Sequence, residues 1–427
     1  MEQARIGMSR RIVITGIGPV TCIGIGINAF WNSLKHGTSG ISRLSYADNE
    51  DWQNIDVKIG GEIKDFKLEN YFNDQKLLKS MHKDMDRVTM LAVVGAKLAI
   101  ENSGLDLNKE NTERIATFVG TGIGGMITTC NDQVILSTKG QKRVGVRTII
   151  RLMPNAASGQ IGILWGLKGR AKSESTACAS GLDSLVDALN WIRLNKADMV
   201  VCGGTEATLN PLSFASFSNM GALSKRACPP EVASCPFSKE RDGFVMGEGA
   251  SIFVFEELEH AKKRGAKIYA EVIGGGGACD ASHITAPHET GDGARRAMIE
   301  ALNDAQINPE EVNYIHAHGT STPLNDARET LAIKAVFKDH AKKIAVTSSK
   351  SMTGHLIGAA GPTGVAACVL SMQHGIISPT INYQTPDPEC DLDYVPNQAR
   401  EAKIKTGLIS SLGFGGHNTV LVLKQYQ

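Results

Sequence analysis

Along the chain, short runs of β-branched and other apolar residues ending in glycine alternate with longer stretches whose apolar positions recur every three or four residues. The runs Arg11–Gly18, Arg114–Gly122, Ala197–Gly204, Ala250–Leu258, Ile268–Gly277, Val312–Thr320, Lys343–Lys350, Thr406–Gly416 and Asn418–Lys424 predict strands. They are apolar almost without interruption, the pattern of strands covered on both faces. Helical spacing predicts helices over Met90–Asn102, Leu182–Leu194, Ala294–Ala305 and Ala327–Val336. Strands alternating with helices indicate an α/β protein. The stretch "FEELEHAKKRGAKIYAEVIGG" reads as a strand end, a short charged helix closing near Gly265, and a new strand. That predicts a division into two halves, residues 1–258 and 259–427. Each half opens on a strand rich in Val and Ile and later carries a strand ending in "GTG" or "HGT", a faint internal repeat.

Composition narrows the classes. A chain of 427 residues is long for a single simple core, which agrees with two packed halves. Lys and Arg number 45 against 44 Asp and Glu, so no excess of positive charge marks a nucleic-acid or membrane-surface binder. The nine cysteines include no CxxC pair and no zinc-ligand spacing, so neither a disulfide framework nor a structural metal is expected, and a reducing, cytoplasmic setting is. The segment "MEQARIGMSRRIVITGIG" runs directly into an apolar strand without the layout of a signal peptide, and no apolar run is long enough to span a bilayer.

Several segments carry possible chemistry. "GTGIGG" (Gly120–Gly125) satisfies the dinucleotide fingerprint, but the acidic residue expected about 20 positions later is missing, which favours a tight glycine turn at a packed interface. Cys178, in "STACASGLDSL", stands at the entrance of the Leu182–Leu194 helix, whose Leu182, Leu185, Val186, Leu189 and Ile192 form one apolar stripe. The positive end of that helix favours a thiolate, and the small neighbours would admit a substrate. Taken alone, however, a cysteine among small residues is more often a buried filler, and both readings stay open. In "YIHAHGTSTPLND", strand alternation puts His316 and His318 on one face, with His318 last before a loop. His355 follows another strand in "SSKSMTGHLIGAAG", five residues after Lys350. "GFGGHN" joins the last two strands either as a plain hairpin turn or as a flexible loop presenting Phe414 and its N–H.

Together, "RIVITGIGPVT", "PNAASGQIGI", "STACASGLDSL", "VVCGGTEA", "KERDGFVMGEGA", "HAHGTSTPLND", "SSKSMTGHLIGAAG" and "GFGGHN" resemble, in order and over nearly the whole chain, the β-ketoacyl-acyl-carrier-protein synthases, most closely the chain-elongating type. The resemblance implies the thiolase-like fold, two similar halves in a five-layered α/β/α/β/α arrangement, as a homodimer. It implies that Cys178 accepts the acyl group, that His318 and His355 bind the malonyl thioester and support decarboxylation, and that Lys350 accompanies them. The N–H groups of Cys178 and Phe414 would form the oxyanion hole, and Phe414 would also gate the acyl chain. Acyl and malonyl carrier protein are the implied partners, and no metal or organic cofactor is called for. A thiolase would carry a second cysteine in "GFGGHN", and an initiating synthase an asparagine where His355 stands.

Three departures from the family pattern bear on the pathway. Gly364 stands where a glutamate is common, "SCPFS" puts Cys235 and Ser238 where a charged pair is usual, and "SKRACPP" leaves only Lys225 and Arg226 as weak carrier-docking cations. The same condensation in a specialised polyene or type II polyketide pathway is therefore the alternative expectation. A non-catalytic partner subunit would require an unreactive Cys178.

Overall fold

The computed structural model describes residues 10–427; residues 1–9, half of the segment read for a signal layout, lie outside the described residues. Ten strands carry the architecture: β1 Ile12–Thr21, β2 Ile115–Gly120, β3 Ala171–Lys172, β4 Met199–Glu206, β5 Gly249–Glu257, β6 Ala270–Cys279, β7 Tyr314–His316, β8 Ala345–Thr347, β9 Thr406–Gly413 and β10 His417–Lys424. They hydrogen-bond in the order β3-β2-β4-β5-β1-β6-β10-β9-β7-β8. At the centre, β1 and β6 share only the short register Ile12–Ile14 against Ala270–Val272, so the sheet consists of two five-stranded wings.

The wings repeat one pattern. In the first, β2 is parallel to β3 and β4, and β5 is antiparallel to β4 and β1. In the second, β7 is parallel to β8 and β9, and β10 is antiparallel to β9 and β6. The repeat faint in the sequence is plain in this topology.

Uninterrupted apolar strands follow from helices on both faces. Ile115 and Val119 of β2, with Met199 and Val201 of β4, pack outward on α1 (Arg87–Asn102) and α2 (Ala156–Trp165). Their alternating neighbours Ala116, Phe118, Val200 and Cys202 pack inward. The second wing does the same: Leu408, Val420 and Val422 meet α4 (Asp292–Ala305) and α5 (Pro323–Phe337), while Ile409, Leu421 and Leu423 turn inward. Between the wings lie α3 (Ser180–Arg193) and α6 (Ala360–His374). The layering is helix, sheet, helix, sheet, helix, the five-layered α/β arrangement expected. Helix α6 was not evident from sequence. It is buried all round and carries Gly361, Pro362 and Gly364, so no apolar stripe marks it.

Candidate active site

Helix α3 is fixed by Leu182, Leu185, Leu189 and Ile192, all fully buried, each contributing about 1.5–3 kcal/mol of burial. Its first turn is preceded by a single 3-10 turn, Ala177–Ala179, that carries Cys178. Ala177 is held at φ +51°, a left-handed conformation costly for a residue with a Cβ, and it sets the nucleophile candidate at the floor of a cavity of about 500 Å³. His318, His355, Phe217, Phe244 and Phe414 line the same cavity.

The predicted residues converge. His355 Nε2 lies 3.1 Å from Cys178 Sγ. The His318 and His355 rings stand edge to face, 5.3 Å between centroids. Lys350, buried, donates from Nζ to the His318 carbonyl. The N–H groups of Phe414 and of Cys178 itself face the sulfur. Gly413 permits this approach: a Cβ there would stand 2.8 Å from Thr176 O and 3.2 Å from the Cys178 nitrogen. The turn that follows needs two glycines, Gly415 at φ +85° and Gly416 at φ +77°. Phe414 rides on this turn, 6.4 Å from the Phe217 ring. "GFGGHN" is thus at once a hairpin turn and a wall of the cavity.

Electrostatics refine the expectation for the thiol. Burial pushes Cys178 up to about 12, although Lys350 and the two N–H groups pull it down. The helix terminus therefore does not leave a free thiolate at rest; desolvation wins. Burial also lowers Lys350 to about 8, against the opposing pull of Glu329, Cys178 and Asp326. His318 and His355 are held well below the ordinary histidine range, first by burial and then by Lys350, so both imidazoles are neutral.

The tautomer of His355 is determined. The Ile357 N–H donates to Nδ1 at 3.1 Å, so the ring proton sits on Nε2, facing Cys178. Cys178, His318 and His355 bring their ligand atoms within 4.8 Å of one another, a spacing a soft metal ion could bridge. The tautomer opposes that use. A metal-bound imidazole donates its second N–H outward, whereas Nδ1 here receives one. The arrangement is that of a hydrogen-bond donor aimed into a cavity.

Sequence reasoning did not reach the supports of these groups. Glu329 of α5 accepts the N–H of His318 at 2.7 Å and that of Gly319 at 2.8 Å. With the Ser410 hydroxyl, 3.1 Å from the His318 nitrogen, it draws His318 out of the ladder, so β7 ends at His316 rather than at Thr320. The "PLND" segment and the helix after it put Asp326 and Glu329 one turn apart, the available but unread signal. Among the departures, Gly364 is explained by His316: a Cβ at 364 would fall 2.5 Å from His316 Nδ1. Cys235 and Ser238 lie outside the cavity, where Ser321 Oγ accepts the Cys235 N–H at 3.0 Å and Ser238 Oγ accepts the Gln384 N–H at 3.0 Å. Lys225 is exposed beside the cavity wall, its N–H bound to Asp242 at 2.9 Å. Arg226 instead donates to Val232 O at 2.8 Å and to Cys235 Sγ at 3.0 Å. "GTGIGG" is the expected packed turn: a Cβ on Gly120 would strike Ser180 O at 2.1 Å.

Comparison with known proteins agrees with this geometry. Residues 9–261 match the family model "Beta-ketoacyl synthase, N-terminal domain" and residues 269–384 match "Beta-ketoacyl synthase, C-terminal domain". The chain belongs to the β-ketoacyl synthase family. It is 45% identical over 418 residues to a Synechocystis sp. protein named 3-oxoacyl-acyl-carrier-protein synthase 2, covering 98% of this chain and 99% of that protein. It is 43% identical over 422 residues to the protein of that name from Staphylococcus aureus, covering 99% and 100%. Among solved structures, a type II PKS acyl-carrier protein in complex with its ketosynthase bound to the hexaketide superposes with a TM-score of 0.89 at 36% identity, covering 98% of this chain and 100% of that one.

Proposed function

We propose that this chain is an elongating β-ketoacyl-acyl-carrier-protein synthase that joins an acyl group held on Cys178 to malonyl-acyl-carrier protein with loss of carbon dioxide, in fatty-acid chain extension. The observation that carries the reading is the neutral His355 Nε2–H, 3.1 Å from Cys178 Sγ and facing His318 across the cavity floor. In the first step the Cys178 sulfur attacks the acyl thioester, and the departing carrier thiol takes the proton that Cys178 gives up. In the second, malonyl-carrier protein seats its thioester carbonyl against His355 and His318. Its carboxylate leaves as carbon dioxide, and the bond's electron pair becomes an enolate whose oxygen the two imidazoles stabilise. The enolate carbon then attacks the Cys178 thioester. The Cys178 and Phe414 N–H groups hold the resulting oxyanion, and its collapse expels the Cys178 thiolate with the β-ketoacyl product. Lys350 supplies positive charge beside both steps.

The curated relatives at 43–45% identity support fatty-acid elongation. The polyketide ketosynthase at 36% identity supports the alternative, the same condensation in a polyene or polyketide pathway. Reconstitution with acyl carriers of graded length and unsaturation, scored for β-ketoacyl product and carbon dioxide, tests both. Saturated chains extended in equal stoichiometry with carbon dioxide support the first, and exclusive use of polyketide or polyene intermediates the second. Product without carbon dioxide would refute both.

A homodimer forms part of this reading. Val134, Val146, Ile149, Ile150 and Ile163 are exposed large apolar residues, Val146 at 94% and Ile163 at 75%, in the segments around edge strand β3, a face that a second copy would cover. Sedimentation at twice the chain mass is the expected result. Lys225 is the proposed carrier-docking cation. The division near residue 258 is supported by the repeated wing topology. The nine free thiols support a reducing, cytoplasmic setting; no helix of the described residues is long and apolar enough to cross a membrane.

A further inference from the structure

"VVCGGTEA" ends β4 in Glu206, a carboxylate that the condensing steps do not use. It is fully buried, and among the described residues no basic side chain pairs with it. It is held instead by neutral donors from two separate segments. Its Oε2 accepts the Gly122 N–H at 2.7 Å and the Gly358 N–H at 3.1 Å, and its Oε1 accepts the Thr121 hydroxyl at 3.0 Å. Those segments touch: a Cβ on Gly358 would stand 2.7 Å from the Gly122 nitrogen, and one on Gly122 2.8 Å from Ile357 Cγ2.

The second observation lies one residue before Gly358. Ile357 has φ +44°, and a β-branched side chain in the left-handed region is a genuine outlier that persists only where its surroundings over-determine it. This strained residue donates the N–H that fixes His355 as its Nε2–H tautomer. A chain of contacts therefore runs from the Glu206 carboxylate through the Gly358 N–H and the Ile357 backbone to His355 Nδ1, and across the ring to Cys178.

We propose that Glu206 is a positioning residue for His355: by clamping the Gly358 N–H it holds Ile357 in its left-handed turn, so that the Ile357 N–H keeps the His355 proton on Nε2, aimed at the reacting thioester. Gly122, held by the same oxygen, gives the clamp its second jaw. The inference rests on the reading of His355 as a donor to the malonyl thioester, but the tautomer itself is a property of the resting protein.

The test uses Glu206→Ala, Glu206→Gln, Ile357→Gly and the double variant Glu206→Ala/Ile357→Gly, each in the full chain. Nitrogen-15 NMR of histidine-labelled resting protein, with His355 assigned by its loss in His355→Asn, reads the tautomer without substrate. Decarboxylation of malonyl-carrier protein and acylation of Cys178 are timed separately. Glu206→Ala is expected to remove the Nε2–H signature and to slow decarboxylation roughly 10-fold to 100-fold, the scale of a misplaced catalytic group, while acylation changes little. Glu206→Gln should keep the signature, because its amide oxygen can accept the Gly358 N–H while its amide N–H turns to the Thr121 hydroxyl. Glycine takes φ +44° without strain, so in the Ile357→Gly background removing Glu206 should cost much less than in the wild type. An unchanged tautomer in Glu206→Ala, an equal loss in both backgrounds, or a lost signature in Glu206→Gln would each overturn the proposal. If Glu206→Ala does not fold, the Glu206→Gln spectrum decides alone. A chain that condenses nothing yet keeps this tautomer pattern would refute the function reading and leave the clamp standing.

Discussion

Replacing Gly364 by alanine sets two opposed effects against each other. In an ordinary helix interior the exchange gains about 1 kcal/mol, since glycine gives up more backbone freedom on folding. Gly364 lies in α6, where the new Cβ would stand 2.5 Å from His316 Nδ1 and 2.8 Å from its Cε1, about 1 Å short of ordinary contact. The ring has nowhere to retreat. His316 is buried, and its Nε2 is held by Ser349 Oγ at 3.1 Å and the Ser349 N–H at 3.3 Å. Overpacking of this kind costs typically about 1–3 kcal/mol; with both neighbours pinned the upper figure applies, and the net effect is a loss of about 2 kcal/mol. In a His316→Ala background the obstacle is gone and the methyl group fills part of the space, so Gly364→Ala should there gain about 1 kcal/mol. The predicted coupling is therefore about 3 kcal/mol. Urea unfolding of the four proteins at pH 7.5 measures it; His316 is neutral there, burial and Lys350 having lowered it to about 3. Gly364→Ala stabilising the wild type, or the two changes adding to within about 0.5 kcal/mol, would refute the argument. The same contact explains why the glutamate common in the family has no room here.

Further outcomes follow from the site. The condensation rate constant kcat/KM should fall as pH rises through about 8, where Lys350 loses the positive charge it supplies beside the reacting groups; a profile flat to pH 9.5 would contradict that role. Gly413→Ala should displace the Phe414 N–H from the sulfur and slow acylation by roughly 10²–10³-fold, the cost of one lost oxyanion donor, read by single-turnover labelling. Burial raises Glu206 from 4.5 to about 7, so between those values the folded chain holds a proton the unfolded chain has released, and stability falls as pH rises. Glu206→Gln should remove that fall, leaving the variant more stable than wild type above pH 7 by about 3 kcal/mol in chemical denaturation.

The fold was legible where a segment's environment repeats along it. β1, β4 and β10 each carry a run of apolar residues because both faces meet helices, and those runs announce them. Helix α6 fails the same test because all its sides are buried, which erases the stripe that identifies α3. The site was legible where a residue's neighbours in sequence are also its neighbours in space, as at Cys178 and in the Phe414 turn. It was hidden where the partner comes from elsewhere. Glu329 shortens β7 by capturing the His318 N–H, and Glu206 reaches Gly358 from 152 residues away. The thiol's protonation was also hidden, since a helix terminus can be read from sequence and the burial that outweighs it cannot.

The most direct test of the account is the intact mass of the chain after incubation with acyl-carrier protein, followed by addition of malonyl-carrier protein. The account predicts one acyl group per chain, mapped to Cys178 and absent from Cys178→Ala, discharged by malonyl-carrier protein as a β-ketoacyl product with carbon dioxide. An adduct on another residue, or a Cys178 adduct that malonyl-carrier protein leaves in place, would contradict it.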